Sequence, residues 1–211
     1  MTRDLWNTII LASSFLLLFG IAEFIYHKLH VRAELTRKLV HVMTGLLTLL
    51  FPVMLNNHWL VLLLCTAFAV ILVLSLRFNL LNSVNAIDRK SVGSLAYPVA
   101  VYGCYLAYEY GGKEYLFYYL PILTLAICDP IAAITGKRWP IGKYKVGKDN
   151  KTMMGSAMFL LSALVLSIAF GQNWLAALTI ATVATLAEAV SPRGLDNISI
   201  PASVIGVLYL L

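Results

Sequence analysis

The residues best suited to chemistry lie between Cys128 and Ser156, in the segment CDPIAAITGKRWPIGKYKVGKDNKTMMGS. Asp129 follows the run YLFYYLPILTLAIC, which is apolar enough to lie in hydrocarbon. A carboxylate at that depth is costly, so it indicates a functional site. Six cations follow in the connecting loop: Lys137, Arg138, Lys143, Lys145, Lys148 and Lys151. An intramembrane acid beside a cationic loop suits a metal-bound polyanion, most simply the phosphate chain of a nucleotide handled at the membrane surface.

A second group of candidate residues follows the last long apolar run. Glu188 ends the run WLAALTIATVATLAEAV, and the polar turn SPRGLDN then supplies Arg193 and Asp196. Asp129 and Asp196 could provide two oxygen ligands to Mg²⁺, which usually takes one or two carboxylates together with substrate phosphates and water. The structural alternatives are a salt bridge between Arg193 and Asp196, and a pairing of Asp129 with a neighbouring arginine.

The segment KTMMGS predicts the start of a helix that can bind an anion. Lys151 and Thr152 enter the apolar run, where the first backbone N–H groups and the positive end of the helix dipole attract phosphate. Gly155 and Ser156 lie one turn further on. The preceding GKYKVGKD is close to a nucleotide-binding P-loop, but Asp149 stands where Ser or Thr should bind Mg²⁺ and no strand precedes it. We therefore reject a P-loop.

Two earlier segments carry polar residues at helical spacing. In TRKLVHVMTG, Arg37 and His41 fall on one face of an otherwise apolar helix, so this face should contact protein or water. If a helix begins near residue 88, Arg89, Gly93 and Tyr97 also share one face. The alternatives are a histidine that only forms a packing hydrogen bond, and helix packing through small residues.

The composition indicates an integral membrane protein. Of the 211 residues 60% are hydrophobic and only 12% are charged, whereas soluble domains average about 25% charged. Apolar runs near the length of a transmembrane helix, and one shorter final run, cover these residues: 5–26, 39–55, 59–76, 95–108, 115–135, 153–170, 174–190 and 198–211. The sequence therefore predicts an all-α, polytopic transmembrane bundle of seven or eight helices in a single domain, 1–211.

The loops between these runs alternate in charge. The loops at 27–38, 77–90 and 136–151 are basic, whereas those at 56–58 and 109–114 are neutral or slightly acidic. By the positive-inside rule the basic loops are cytoplasmic and the N-terminus is outside. The net charge of +6 then belongs to one face and suits anionic lipid head groups and nucleotides. We expect a multi-pass protein of the cytoplasmic membrane with its active site on the cytoplasmic face and no nucleic-acid partner.

Taken together, these motifs resemble the family of polytopic, CTP-dependent lipid-alcohol kinases that includes phytol kinase, farnesol kinase, dolichol kinase and CTP-dependent diacylglycerol kinase. Five motifs appear in the family's order: RK…H at 37–41, R…GS..YP at 89–98, CDPIAAITGKRWP at 128–140, KT..GS at 151–156 and E…SPRGLDN…P at 188–201. The short chain favours the compact, phytol-kinase-like branch. The last two motifs also resemble the wider superfamily of phosphatidate cytidylyltransferase.

The resemblance implies that the γ-phosphoryl group of CTP moves to a membrane-embedded alcohol, giving a lipid monophosphate and CDP. Such a transfer needs positioning and charge neutralisation more than covalent help. The resemblance makes Asp129 and Asp196 the Mg²⁺ ligands and adds Glu188, Lys151, Arg37 and His41 to the catalytic set. The residues expected to contact the nucleotide are Lys137, Arg138, Lys148, Lys151, Thr152, Gly155, Ser156, Arg193 and Arg89.

Two other functions fit parts of this pattern. A phosphatidate cytidylyltransferase would use CTP and Mg²⁺ but attack the α-phosphorus. The other hypothesis is a transporter, because intramembrane acids also mark ion paths. The polar faces of a transporter should reach both sides of the membrane, whereas here nearly all charge gathers at one face. The sequence leaves open which alcohol is used and whether CTP is preferred over other nucleotides.

Overall fold

The structure is a computed structural model that describes residues 2–78, 80–85, 93–147, 149–192 and 194–211. Helices dominate it, which confirms the predicted all-α class. Among these described residues, four helical stretches are long and apolar enough to cross a membrane: Arg3–Lys28, Ala33–Met54, His58–Arg77 and Leu116–Arg138. Shorter apolar helices follow these. The chain divides into two compact units, Met1–Lys90 and Ser91–Leu211, each with its own packing.

The described part of the first unit contains five helices: α1 (Thr2–Lys28), α2 (Ala33–Thr48), α3 (Phe51–Met54), α4 (His58–Arg77) and α5 (Asn82–Asn85). α1 packs against the other four. At its centre the ring of Phe15 lies 6.0 Å from that of Phe51 and 4.7 Å from that of Phe68. The second apolar run was predicted at 39–55. In the structure the helix begins earlier, at Ala33, and breaks before Pro52, because proline suits the first turn of a new helix.

A polar contact joins one end of the first unit. The Glu23 carboxylate accepts hydrogen bonds from the backbone N–H and the hydroxyl of Ser83, at 2.8 and 2.7 Å. Its other oxygen lies 3.0 Å from Nε2 of His27, and the Thr36 hydroxyl donates to the Ser83 carbonyl at 2.6 Å. These polar contacts connect α1, α2 and α5 at the end of the unit where apolar packing stops.

The second unit contains these helices: α6 (Gly93–Tyr110), α7 (Leu116–Leu123), a π-helical segment (Thr124–Cys128), α8 (Asp129–Arg138), α9 (Met153–Ala169), α10 (Trp174–Val190) and α11 (Asp196–Leu210). α10 packs between α9 and α11, α8 packs on α9, and α11 also contacts α6 and α7. Small buried residues on α10, including Ala177, Ala181 and Ala184, let the neighbouring helices approach closely. The ends of α9, α10 and α11 are therefore held together.

The connection between α8 and α9 was predicted only as a lysine-rich loop, but it contains a β-hairpin. Strands β1 (Lys143–Val146) and β2 (Asp149–Thr152) pair antiparallel, with Tyr144 opposite Lys151 and Val146 opposite Asp149. Gly147, in the turn, has a φ of +59°, which glycine adopts without strain. The hairpin fixes which lysines face inward and which face outward.

Candidate active site

Asp129 lies where the helical stretch from α7 to α8 changes from π-helical to α-helical geometry. The segment Thr124–Cys128 just before it is π-helical, and Pro130 occupies the first turn of α8. The sequence predicted a kinked or opened backbone at this point because proline disfavours regular helix around it, and the structure confirms a local irregularity. Single π turns inside α-helices are frequent at functional sites.

Asp196 begins α11 and lies close enough to Asp129 for the two carboxylates to affect each other. Burial and the charge of Asp129 raise the pKa of Asp196 to about 6, whereas the ammonium of Lys151 lowers it. The carboxylate of Glu188 acts on Asp196 in the same direction as that of Asp129. The structure therefore brings together four of the predicted catalytic residues, Asp129, Lys151, Glu188 and Asp196, from α8, β2, α10 and α11.

Lys151 and Glu188 form a buried ion pair. The ammonium nitrogen Nζ of Lys151 lies 2.6 Å from Oε1 of Glu188, and the two side chains are only 14% and 9% exposed. The same ammonium donates to the backbone carbonyl oxygen of Glu188. The second carboxylate oxygen, Oε2, is buried and has no hydrogen-bond partner among the residues that the structure describes. A buried acceptor without a hydrogen-bond donor is costly, so Oε2 is suited to accept a hydrogen bond from a ligand or to bind a cation.

Gly136 and Gly155 set the spacing between α8 and α9. A Cβ atom on Gly136 would lie 2.5 Å from Oγ1 of Thr152 and 3.3 Å from the Cα of Gly155. Thr152 caps α9, because its hydroxyl oxygen accepts from the backbone N–H of Gly155 at 3.0 Å. Gly155 therefore has a packing role in the structure, and the predicted contacts of Thr152 and Gly155 with phosphate stay predictions.

Ser156, also predicted to contact phosphate, is hydrogen-bonded within the protein. Its hydroxyl lies 2.7 Å from the hydroxyl of Tyr144, the β1 residue directly opposite Lys151. This bond joins the hairpin to the first turn of α9. Its effect is to hold the hairpin, which carries Lys151, against α9, the helix that packs on α8 and α10.

Five other residues were also predicted to contact the nucleotide. Lys137 and Arg138 are exposed in the last turn of α8, where the negative end of the helix dipole favours cations. Lys148, Arg193 and Arg89 lie outside the residues that the structure describes. The roles proposed for these five residues stay predictions.

Arg37 and His41 lie one turn apart on α2, in the first unit. Both are half-buried, as the predicted polar face requires. The Nε atom of Arg37 is buried without a hydrogen-bond partner within the described part of the chain. The structure supports their common face, and their contact with substrate stays a prediction.

Asp129, Glu188 and Asp196 are the residues of the second unit that could hold a divalent cation. No group of three or more His, Cys, Asp or Glu side chains among the described residues is arranged as a complete metal site. Burial, and then the charges of Asp129 and Glu188, raise the pKa of Asp196, whereas the ammonium of Lys151 lowers it. Mg²⁺ commonly takes only one or two carboxylates and completes its shell with phosphate and water.

Several contacts at the site were not anticipated from the sequence. Asp149 is buried on the hairpin, and strand alternation places it on the same face as Tyr144 and Lys151. The side-chain amide of Asn197 donates to the carbonyl of Gly93 at 2.7 Å and joins the starts of α11 and α6. The alternation of lysines with Tyr144 and Val146 was the available signal for the hairpin, whereas the contact of Asn197 had none.

Comparison with known proteins gives one informative relative. The chain is 29% identical over 210 residues to the phytol kinase of Synechocystis sp. (strain ATCC 27184 / PCC 6803 / Kazusa), which covers 95% of this chain and 90% of the relative. No family model matches the chain, and no solved structure matches it significantly. The similarity extends over nearly the whole chain rather than one segment. Together, the motifs and this nearly full-length similarity support the assignment of the chain to the family of lipid-alcohol kinases that includes phytol kinase.

Proposed function

We propose that this protein is a membrane-embedded kinase that transfers the γ-phosphoryl group of CTP to a lipid alcohol and requires Mg²⁺. The observation that carries the proposal is the convergence of Asp129, Asp196, Glu188 and Lys151 at the ends of apolar helices. Acids and one ammonium at that position suit a phosphate chain with its cation. The nearly full-length similarity to a phytol kinase supports a lipid alcohol as acceptor.

In this proposal Asp129 and Asp196 hold Mg²⁺, which neutralises charge on the phosphates when it is bound. The mutual effect of the two carboxylates supports a shared cation, because like charges held together favour an ion that screens them. Glu188, with the buried and unpaired Oε2 atom, either binds this ion or receives a hydrogen bond from one of its waters.

Lys151 can contact a phosphate without leaving Glu188. A lysine ammonium has three N–H donors, and the structure uses two of them, on the carboxylate and on the backbone carbonyl of Glu188. The third donor remains for a phosphate oxygen. The ion pair thus fixes the direction of the ammonium before substrate binds, which is the kind of preorganisation that phosphoryl transfer uses.

The acceptor in this proposal is a long-chain alcohol of the phytol or prenol type. Large apolar side chains cover the helix surfaces, for example Leu17, Leu175 and Leu186 at 65%, 72% and 60% exposure, so such an alcohol can reach the helix ends from within the bilayer. Its hydroxyl oxygen attacks the γ-phosphorus, and the hydroxyl proton leaves as the lipid phosphate and CDP form.

The experiment uses the purified full-length chain in proteoliposomes, with CTP or ATP and one lipid alcohol at a time, and identifies the product by mass. We expect a lipid monophosphate to form with phytol or a prenol, with CTP and Mg²⁺, and no product after Mg²⁺ is chelated. The matched control is Asp129→Asn, which should form no product although it is extracted and folded normally. Absence of any lipid phosphate with every alcohol and both nucleotides would overturn the proposal.

A further inference from the structure

The connection that follows α8 begins with apolar side chains on the protein surface. The candidate membrane span ends at Arg138, and Trp139 and Ile141 follow it with 52% and 66% of their surface exposed. Met153, the first residue of the apolar helix α9, is 68% exposed. Because these residues lie at the ends of two apolar helices, they lie where a membrane span gives way to polar chain.

These three side chains belong to one tightly folded corner. The backbone N–H of Met153 donates to the carbonyl of Gly142 at 2.9 Å, that of Met154 donates to Ile141, and that of Ile141 donates to Trp139. A Cβ atom on Gly142, whose φ is +64°, would lie 2.7 Å from Cγ of Met153. Trp139, Ile141 and Met153 therefore form a single surface feature, which we name the apolar corner.

Positive charge lies beside the apolar corner. Lys143 and Lys145 are exposed on β1 and alternate with the half-buried Tyr144 and Val146. The sequence contains no Asp or Glu from residue 130 to residue 148. Asp149, the acid of this connection, is buried on β2, and strand alternation places it on the face of Tyr144 and Val146, opposite to that of the two lysines. Tryptophan with apolar neighbours and flanking lysines is the composition that rests in the head-group layer of a bilayer.

We propose that the apolar corner, together with Lys143 and Lys145, is an interfacial anchor that binds anionic phospholipid. Trp139, Ile141 and Met153 lie against the outer ends of the acyl chains, and the two ammonium groups contact lipid phosphates. Anionic head groups attract lysines close to the surface more strongly than zwitterionic ones do. Because β1 pairs with β2, lipid bound here also steadies the strand that carries Lys151.

Trp139 can serve as the reporter for this anchor. The chain has four tryptophans, so replacing Trp6, Trp59 and Trp174 by phenylalanine leaves Trp139 alone. In nanodiscs we expect quenching of Trp139 emission by phospholipids brominated on the acyl chain. We also expect a shift of the emission to shorter wavelength when phosphatidylglycerol is mixed into phosphatidylcholine. Water-like emission that neither brominated lipid nor phosphatidylglycerol changes would overturn the proposal.

A charge variant tests the lysines in the same background. Lys143→Gln with Lys145→Gln should remove the difference between the two lipid mixtures, whereas Lys113→Gln, a 56% exposed lysine on another loop, should keep it. If the double variant keeps the difference between the two lipid mixtures, Lys143 and Lys145 do not bind anionic phospholipid and the proposed anchor is wrong. The fluorescence needs no turnover, so it can fail or succeed independently of the proposed kinase activity.

Discussion

The buried ion pair between Lys151 and Glu188 allows a quantitative prediction. With the two side chains 14% and 9% exposed, neutralising one of them leaves the other charge buried without its partner, which costs about 3–5 kcal/mol. We expect Lys151→Met, which keeps the side-chain length, to lower the free energy of unfolding by about 3 kcal/mol or more. At about 2–4 °C per kcal/mol for a chain of this size, the melting temperature should fall by about 6–12 °C.

The double variant Lys151→Met with Glu188→Leu separates the ion pair from simple loss of packing. Replacing both charges by apolar groups is often neutral or stabilising, so the double variant should be more stable than Lys151→Met alone. The coupling energy in the double-mutant cycle should be about 2–3 kcal/mol. The pair of Lys113 and Glu109, 3.3 Å apart with side chains 56% and 20% exposed, is the more exposed control and should contribute less than about 1 kcal/mol.

Thermal unfolding can be followed in detergent with a thiol-reactive dye, because the three cysteines are buried thiols outside any disulfide: Cys65, Cys104 and Cys128. Turnover is measured on the same samples. The double variant should regain stability but no activity, since both Lys151 and Glu188 also serve the nucleotide and its cation in the proposed function. Purely additive stability losses would refute the ion pair, and recovered turnover would refute its role at the site.

Asp129→Asn and Asp196→Asn should each abolish turnover while leaving a folded, extractable protein, because charge rather than shape holds the cation; near-normal turnover of Asp129→Asn with Mg²⁺ would exclude the proposed centre. Gly136→Ala should cost about 1–3 kcal/mol, measured as a lower melting temperature, because its Cβ atom would lie 2.5 Å from Oγ1 of Thr152; an unchanged melting temperature would contradict this packing. Single cysteines in the 137–151 connection, introduced into a cysteine-free chain, should resist an impermeant reagent applied to intact cells, and labelling from outside would reverse the predicted topology.

Hydrophobic pattern was sufficient to predict most of the helices. The predicted run at 174–190 coincides with α10, Trp174–Val190, because polar Asn173 caps its start and a proline follows its end. The break within the second run was missed because its residues, LLFPVML, are apolar throughout. Hydropathy measures where a chain prefers lipid, and it carries no information about a short backbone turn between apolar residues.

The residue types of the site were predictable, whereas their pairing was not. Asp129, Glu188 and Asp196 were identified because acids in or beside apolar runs are rare, and the structure brings them together. The partnership of Lys151 with Glu188 joins residues 37 positions apart, and nothing in local spacing specifies it. The hydrogen bond of Ser156 to Tyr144 likewise depends on how the hairpin folds back onto α9, and the predicted contact of Ser156 with phosphate stays a prediction.

The fate of each phosphorus atom of CTP tests the proposed reaction most directly. Purified protein is incubated with CTP labelled at the γ- or the α-phosphorus, in the presence of a prenyl alcohol or of phosphatidate. Because the proposed reaction joins a neutral hydroxyl to the γ-phosphorus, γ-label should appear in a lipid monophosphate and α-label only in CDP. Label from the α-position in lipid, with pyrophosphate released, would show cytidylyl transfer and contradict the proposed kinase activity.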